Sequence, residues 1–327
     1  MVKFLIVRFS SIGDIILTTP VIRALKTQVE DAEIHYLTKK KYQTLLNSNP
    51  YIGKVHTLDH NFSRLTKILK REKYDYIIDL HRNIRSARLK LTLSVLSFSF
   101  KKLNLLKWLL VNFKINKLPQ IHIVDRYLET VRWFSVKNDN QGLDYFIPSE
   151  EEIDPRKLIN CDPEDYIVLV VGGGHYTKQI PGDHLVEIIE KLKSKLVLLG
   201  GPEDESKSDY ILSRISKNSK VFNLVGKLSI NQSASLIRQC KLIVTPDTGM
   251  MHIASAFKRR IFSVWGNTVP IFGMSPYMAS GDSVVFEVTG LACRPCSKIG
   301  YKNCPKKHFY CMEKQDYNNL IRKINSL

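Results

Sequence analysis

Asp247-Thr248-Gly249 sits in the middle of the stretch Cys240 to Ala256, between an apolar run at Leu242 to Val244 and a run of small residues ending at Ala256. A short β-branched run, a Pro-Asp-Thr-Gly break and a small-residue run spell strand, loop, helix. At such a junction an open α/β sheet commonly takes its ligand. Asp247 and Thr248 can cap the helix, Gly249 lets a ligand approach the backbone, and the first-turn N–H groups offer an anion such as a diphosphate the positive end of the dipole. The plainer alternative is an ordinary capped helix with His252 packed in the core. Two further charges stand at the same kind of place. Lys178 follows Gly172-Gly173-Gly174-His175-Tyr176-Thr177 after the apolar run Tyr166 to Val171. At a strand end facing a cleft such a lysine can meet an anion; otherwise it is a solvated charge. Asp14 follows the apolar run Lys3 to Phe9 and the turn Ser10 to Gly13. A carboxylate at a strand's C-terminal end faces the sheet's crevice and can accept a proton from an alcohol, or it can simply cap its helix.

Taken together and in order, these motifs resemble those of glycosyltransferase family 9, the ADP-heptose lipopolysaccharide heptosyltransferases. Asp-Thr-Gly-x-x-His-x-Ala-x-Ala, from Asp247, resembles the family's donor-binding signature, and RFSSIGDIILTTP, Arg8 to Pro20, resembles its opening. The resemblance implies that Asp14 is the base that deprotonates the acceptor hydroxyl and that Lys178 stands on the donor phosphates. Here the sequence Lys178-Gln179-Ile180-Pro181 lacks the tryptophan often seen before that proline. It further implies donor contacts from Thr177, with Tyr176 beside it, and from Asp247, Thr248, Gly249, Met250 and His252. Gly200-Gly201-Pro202 with its acidic tail resembles the family turn whose acidic residue meets the nucleoside, which points to Glu203 or to Glu205. Asn223 to Ser229 matches a Leu-x-Gly-x-x-Ser stretch, where Leu228 packs on the adenine or is plain core. Ile78 to Ser86 resembles a strand-end segment of the acceptor domain, with Arg82 where a glycine is more common. Arg82 or Arg85 could hold an acceptor phosphate or carboxylate bidentately, or only rim the cleft.

The fold implied is α/β: a GT-B arrangement of two facing Rossmann-like doubly wound domains. The activity implied is inverting transfer of a heptose or related sugar from an ADP-sugar to a lipopolysaccharide core or related glycolipid, with no cofactor. The readings that compete with it are a nucleotide-sugar epimerase on the same architecture and a non-catalytic basic membrane-binding protein.

The elements that would position these residues are legible in outline. Strand-like runs at Lys3 to Phe9, Glu33 to Leu37, Lys54 to Leu58 and Tyr74 to Leu80 alternate with helical stretches, including one from the Ser10 turn to Gln28. The alternation resumes at Tyr166 and runs through Lys195 to Leu199, a helix to Lys217, Val221 to Val225 and Lys241 to Thr245, with Ile261 to Trp265 as the last core strand. Such alternation argues parallel sheets, and a chain of 327 residues suits two domains. With the acidic, proline-containing Ser149 to Asp165 as linker, residues 1–150 are expected to bind the acceptor and residues 151–312 the donor. A C-terminal helix at 313–327 could pack back on the first domain.

Composition bounds the rest. The formal charge is +18, and half of that excess lies between Leu80 and Val124, which has nine Lys and Arg and no acidic residue. Leu103, Leu105, Leu106, Trp108, Leu109, Leu110 and Phe113 share the segment, a mixture suited to an anionic glycolipid acceptor or the inner membrane surface, or to a buried helix pair rimmed by solvated lysines. No nucleic-acid module accompanies the charge. The N-terminus meets its polar turn too early for a secretory signal, and no apolar run approaches the roughly 20 residues of a membrane span, so a cytoplasmic protein with peripheral membrane contact is expected. Cys293, Cys296, Cys304 and Cys311 cluster at a spacing compatible with tetrahedral thiolate coordination, while Cys161 and Cys240 are isolated. They are candidates for a structural zinc, without a metal being part of the expected chemistry.

Overall fold

The apolar run at the N-terminus forms β1 (Val2–Val7), whose last four residues are buried. In the computed structural model, which describes residues 1–58, 61–216 and 220–327, the chain continues through α1 (Ile12–Ile16), α2 (Thr19–Gln28), β2 (Ala32–Lys39), a 3₁₀ turn at Lys40–Leu45 and β3 (Lys54–Leu58). It returns through α3 (Phe62–Arg71), β4 (Tyr76–Asp79), α4 (Ile84–Leu93) and β5 (Leu96–Ser99). The strands lie in the order β3-β2-β1-β4-β5, and every neighbouring pair is parallel. The chain therefore winds outward from β1 on one side and then on the other, which places the topological switch between β1 and β4.

After α5 (Asn104–Phe113), α6 (Ile123–Leu128) and α7 (Pro155–Ile159) the pattern recurs: β6 (Tyr166–Val170), α8 (Gly182–Lys191), β7 (Lys195–Leu199), α9 (Glu205–Arg214), β8 (Val221–Asn223), α10 (Ile230–Gln239), β9 (Leu242–Pro246), α11 (Gly249–Ala256), β10 (Ile261–Trp265) and β11 (Val284–Glu287). The short α12 (Tyr310–Glu313) and α13 (Tyr317–Asn325) close the chain. This second sheet has the order β11-β10-β9-β6-β7-β8, again with parallel pairs, and its switch falls between β6 and β9. Strands β6, β9 and β10 are buried along their whole length, as parallel strands covered on both faces must be. Residues Met1–Leu103 with Ile121–Pro148 make one compact unit, and Asn104–Gln120 with Ser149–Leu327 the other. Both are of the doubly wound α/β class expected.

Several local features differ from the sequence reading. The helix foreseen from the Ser10 turn to Gln28 is broken at Leu17 and Thr18, because Pro20 in the first turn of α2 cannot donate an N–H to a continuing helix. Strand β5 lies inside the basic segment, and β11 extends the second sheet beyond β10; both are four-residue edge strands too short to stand out by periodicity. The stretch read as a linker is docked on α10: Glu152 pairs with Arg238 at 2.6 Å and accepts from Ser235 at 3.0 Å, and Asn231 donates to Glu151 at 2.7 Å. Helix α9 ends at Arg214, and the Lys217 end foreseen for it lies outside the described residues. The segment Ile121–Pro148 rejoins the first unit through Arg23, buried in α2, which pairs with Asp139 at 2.7 Å and donates to the Gly142 carbonyl at 2.8 Å.

Tyr317, Leu320, Ile321 and Ile324 of the C-terminal helix α13 join Leu185 and Ile188 of α8 in the core of the second unit. Its apolar positions repeat at helical spacing, and that face is met within its own unit. Leu320 is wholly buried, so Leu320→Ala should cost about 2–5 kcal/mol; a denaturation midpoint unchanged from wild type would remove the helix from that core.

Candidate active site

The end of β1 carries Asp14 in a tight setting. Asp14 is the third residue of α1, and its Oδ2 accepts from the Ser11 backbone N–H at 3.1 Å and the Ser11 hydroxyl at 2.9 Å. Its Oδ1 lies 2.8 Å from Nη2 of Arg8. Arg8 is itself immobilised: Nε donates to the Ser10 carbonyl at 2.7 Å, and Nη1 to the Leu80 carbonyl at 2.6 Å and the Tyr127 hydroxyl at 3.0 Å. Burial works to raise the Asp14 pKa, but the Arg8 guanidinium and the Ser11 donors overcome it and hold the carboxyl below its ordinary value. Asp14 thus both caps its helix and stays ionised at neutral pH, with a fixed cation at its side.

On the other side of the switch, Asp79 at the end of β4 is fully buried and organises the following turn. Its Oδ1 accepts from the backbone N–H groups of His81 at 3.0 Å and Arg82 at 2.7 Å; its Oδ2 accepts from Ser86 at 2.8 Å and pairs with Lys90 at 3.1 Å. Arg82 gives one guanidinium N–H to the Phe100 carbonyl at 3.0 Å, and Arg85 is exposed in the first turn of α4. The residues that share the electrostatics of Asp14 are different ones. Burial, then Arg8 and Lys102, push His81 down to about 4, and burial, then Arg8, lowers Lys102. His81 Nδ1 is buried without a hydrogen-bond partner. From sequence, Lys102 counts only as one cation of the basic segment, and His81 and Arg8 stand only inside quoted motifs. The available signal was a lone arginine closing an otherwise apolar strand.

In the second unit the loops after β6 and β9, the strands flanking the switch, meet. A Cβ on Gly173 would stand 3.2 Å from Thr248 Cγ2, so the absent side chain allows the approach. Lys178 Nζ lies 2.6 Å from Asp247 Oδ2, which also accepts from Thr268 at 2.9 Å. Asp247 and Thr248 were foreseen as caps of α11. Asp247 faces Lys178 instead, and the Thr248 hydroxyl bonds Thr245 at 3.1 Å with no capping bond to α11. No side chain at the N-cap therefore caps the first-turn N–H groups of α11. Behind the loop, Lys207 donates to the carbonyls of Val171 at 3.0 Å and Ile180 at 2.6 Å, and burial lowers its pKa to about 8.

Not every foreseen donor contact faces this place. Thr177 is 1% exposed; its hydroxyl accepts from the Tyr301 N–H at 2.8 Å and its own N–H donates to the Tyr301 carbonyl at 3.2 Å, so it anchors a loop. His252 is 2% exposed on the inner face of α11, the plainer of the two readings. Glu203 and Glu205 are both exposed just past β7, and Leu228 is half-buried after β8. These last three stay at the C-terminal edge of the sheet where a nucleoside could reach them.

A model of glycosyltransferase family 9 (heptosyltransferase) matches residues 62–306. The chain belongs to this family. A lipopolysaccharide heptosyltransferase 1 of Campylobacter coli is 26% identical over 290 residues, covering 81% of this chain and 84% of the relative. Among solved structures, a family 9 glycosyltransferase from Veillonella parvula aligns with a TM-score of 0.72 and 23% identity over 86% of both chains. The ADP-heptose lipopolysaccharide heptosyltransferase II of Escherichia coli aligns with a TM-score of 0.71 and 19% identity over 99% of this chain and 100% of that one. At these identities the structures speak for the fold, and the GT-B class follows. The family 9 match begins after Asp14, so the role of that residue rests on its geometry and on the likeness of its motif.

In this family 9 chain the clustered cysteines come together. Cys293, Cys296, Cys304 and Cys311 line one small cavity with His308, and Cys293 Sγ lies 3.9 Å from His308 Nε2. Burial, then the neighbouring cysteines, raise Cys296 and push Cys311 up to about 12. Among the described residues the ligand atoms that all fall within 4.8 Å of one another belong to His35, His56 and Glu72. The sulfurs share a cavity without closing to that spacing.

If Arg8 is what keeps Asp14 ionised, Arg8→Gln leaves burial opposed only by the Ser11 donors, and the pKa of the carboxyl rises. The acid limb of the kcat/KM profile for sugar transfer should then move to higher pH in a variant that keeps its circular dichroism spectrum. A limb that stays in place would separate Asp14 from the reaction.

Proposed function

We propose that this glycosyltransferase moves a heptose from ADP-heptose to a lipopolysaccharide-type acceptor with inversion at the anomeric carbon. The second unit takes the nucleotide sugar and the first takes the acceptor. The observation that carries the reading is Lys178, held 2.6 Å from Asp247 beside the uncapped start of α11 at the switch between β6 and β9. In the reaction the acceptor oxygen attacks the anomeric carbon, the bond from that carbon to the diphosphate oxygen breaks, and the hydroxyl proton passes to Asp14. Lys178 and the first-turn N–H groups of α11 take up the charge gained by the departing ADP. Glu203 or Glu205 bonds the ribose hydroxyls and Leu228 covers the adenine. His81, Lys102 and Arg82 offer donors to an anionic group of the acceptor near Asp14. The likeness to the lipopolysaccharide heptosyltransferase 1 of Campylobacter coli supports the choice of sugar and acceptor. An epimerase would change its nucleotide sugar with no acceptor present, and family membership favours transfer.

A surface for the lipid of the acceptor is offered around α5, which falls in the second unit. Leu105, Trp108, Phe113, Ile115 and Ile121 are exposed, the first three on α5, whereas Leu110 is buried. Lys101 and Lys117, before and after α5 in sequence, are also exposed. Two of the cations counted from sequence are turned elsewhere: Lys102 is half-buried, and Lys114 donates to the Pro295 carbonyl at 2.8 Å. Among the described residues no helix is long and apolar enough to cross a membrane. An exposed apolar row flanked by lysines fits the headgroup boundary of an anionic membrane surface, such as the cytoplasmic face of the inner membrane.

Asp14→Asn should keep ADP affinity near wild type and lower turnover by roughly 100-fold or more, the range a general base supplies. Turnover unchanged in folded protein would remove Asp14 as the base. For the surface, wild type should co-sediment with anionic vesicles at low salt, less so at high salt because exposed charges are screened, and less again with Lys101→Gln, Lys117→Gln and Trp108→Ser combined. Wild-type protein that ignores such vesicles at low salt would leave the row without a lipid role.

A further inference from the structure

Away from the transfer site, three segments of the first unit bring metal-ligating side chains to one buried point. His35 lies in β2, His56 in β3, and Glu72 follows α3; the two histidines are 2% and 5% exposed. His35 Nδ1 is 3.4 Å from His56 Nε2 and 3.8 Å from Glu72 Oε2, and His56 Nε2 is 3.9 Å from Glu72 Oε1. A tetrahedral ion with metal–ligand bonds of about 2.0–2.1 Å holds its ligand atoms roughly 3.3–3.5 Å apart. The histidine edge meets that requirement, each imidazole meets a different Glu72 oxygen within about half an ångström of it, and one ligand atom from each of the three residues falls within 4.8 Å of the others.

Two further observations point the same way. His35 Nε2 lies 2.7 Å from Glu33 Oε1, so Nε2 carries the proton and the Nδ1 lone pair faces the centre. A carboxylate on the far nitrogen is the usual support of a metal-bound imidazole. The Tyr74 hydroxyl lies 2.8 Å from His35 Nδ1 and 2.9 Å from His56 Nε2. Two ring nitrogens thus converge on a hydroxyl that has one proton to give.

We propose that His35, His56 and Glu72, with the Tyr74 hydroxyl as fourth group, bind a divalent cation of zinc's ligand preference. Lys54 holds Glu72 at 2.6 Å, and Lys3 holds Glu72 at 3.2 Å and Glu33 at 3.4 Å. Lys54 has a half-exposed side chain and is the group that gives way. The site ties β2, β3 and the turn entering β4 together. Because Glu72 and Tyr74 precede β4 while Asp14 follows β1 in a parallel sheet, it lies towards the edge opposite Asp14 and acts on stability rather than on transfer.

The test uses the full chain carrying Cys293→Ser and Cys296→Ser, so that thiolates do not compete. Equilibrium dialysis should find a single equivalent of Zn²⁺, and Co²⁺ should give the intense visible band of a four-coordinate site without sulfur-to-cobalt charge transfer. His56→Gln should abolish binding. Glu33→Gln should lower affinity about 10–100-fold, and Lys54→Gln, which frees Glu72, should raise it several-fold. If His56→Gln does not fold, the Glu33 and Lys54 variants carry the test. If the serine background does not fold, wild type is titrated and the cobalt spectrum separates the two sites. Folded protein that binds neither ion, or that binds them equally with and without Glu33→Gln, overturns the proposal.

Discussion

Every hydrogen-bonded strand pair in both sheets is parallel, so each strand must deliver its chain to the same edge as its neighbours and return by a crossover before pairing again. Strands of this kind are covered on both faces and leave no room for unpaired charge along their length. Polar side chains able to act on a ligand therefore collect where the strands stop. The order in which the strands were laid down then decides which loops become neighbours. Outward winding from β1 and from β6 leaves one place in each sheet where adjacent loops diverge, and Asp14 stands at one and Lys178 with Asp247 at the other.

Charge at these edges is stabilised by partners rather than by water. Arg8 would be costly to bury alone, yet three acceptors and the Asp14 carboxylate satisfy its donors. Asp79 is wholly buried and is satisfied by two backbone N–H groups, a serine and a lysine. Lys207 occupies a similar position under the glycine-rich loop, its ammonium surrounded by carbonyl oxygens. In each case one paired or hydrogen-bonded ion fixes the shape of a turn at the end of a strand.

The sequence made the alternating architecture readable because buried parallel strands are continuous apolar runs: β1, β6, β7 and β9 are visible as such. β5 and β11, short and at the sheet edges, are not. The motif residues were readable by likeness, but the direction of a side chain is a property of its neighbours. Thr177 and His252 occupy motif positions and turn inward, whereas His81 and Lys102 came near Asp14 only once β4 and β5 were paired beside β1. The His35, His56 and Glu72 cluster had no signature at all, since its members are brought together by strand pairing across two crossovers. Clustered cysteines, by contrast, announce themselves in sequence, and their sulfurs share a cavity without meeting.

The ion pair between Lys178 and Asp247 bears on how a catalytic cycle ends. A lysine that neutralises a diphosphate in an otherwise uncompensated pocket must be left as a bare, poorly hydrated charge when the nucleotide departs, and that penalty slows departure. Here a carboxylate already stands 2.6 Å from the ammonium, braced by Thr268. In the proposed reaction the lysine has somewhere to go as ADP leaves. The empty state is lowered in energy relative to the product complex, some nucleotide affinity is given up, and the enzyme is less prone to being held by its own product.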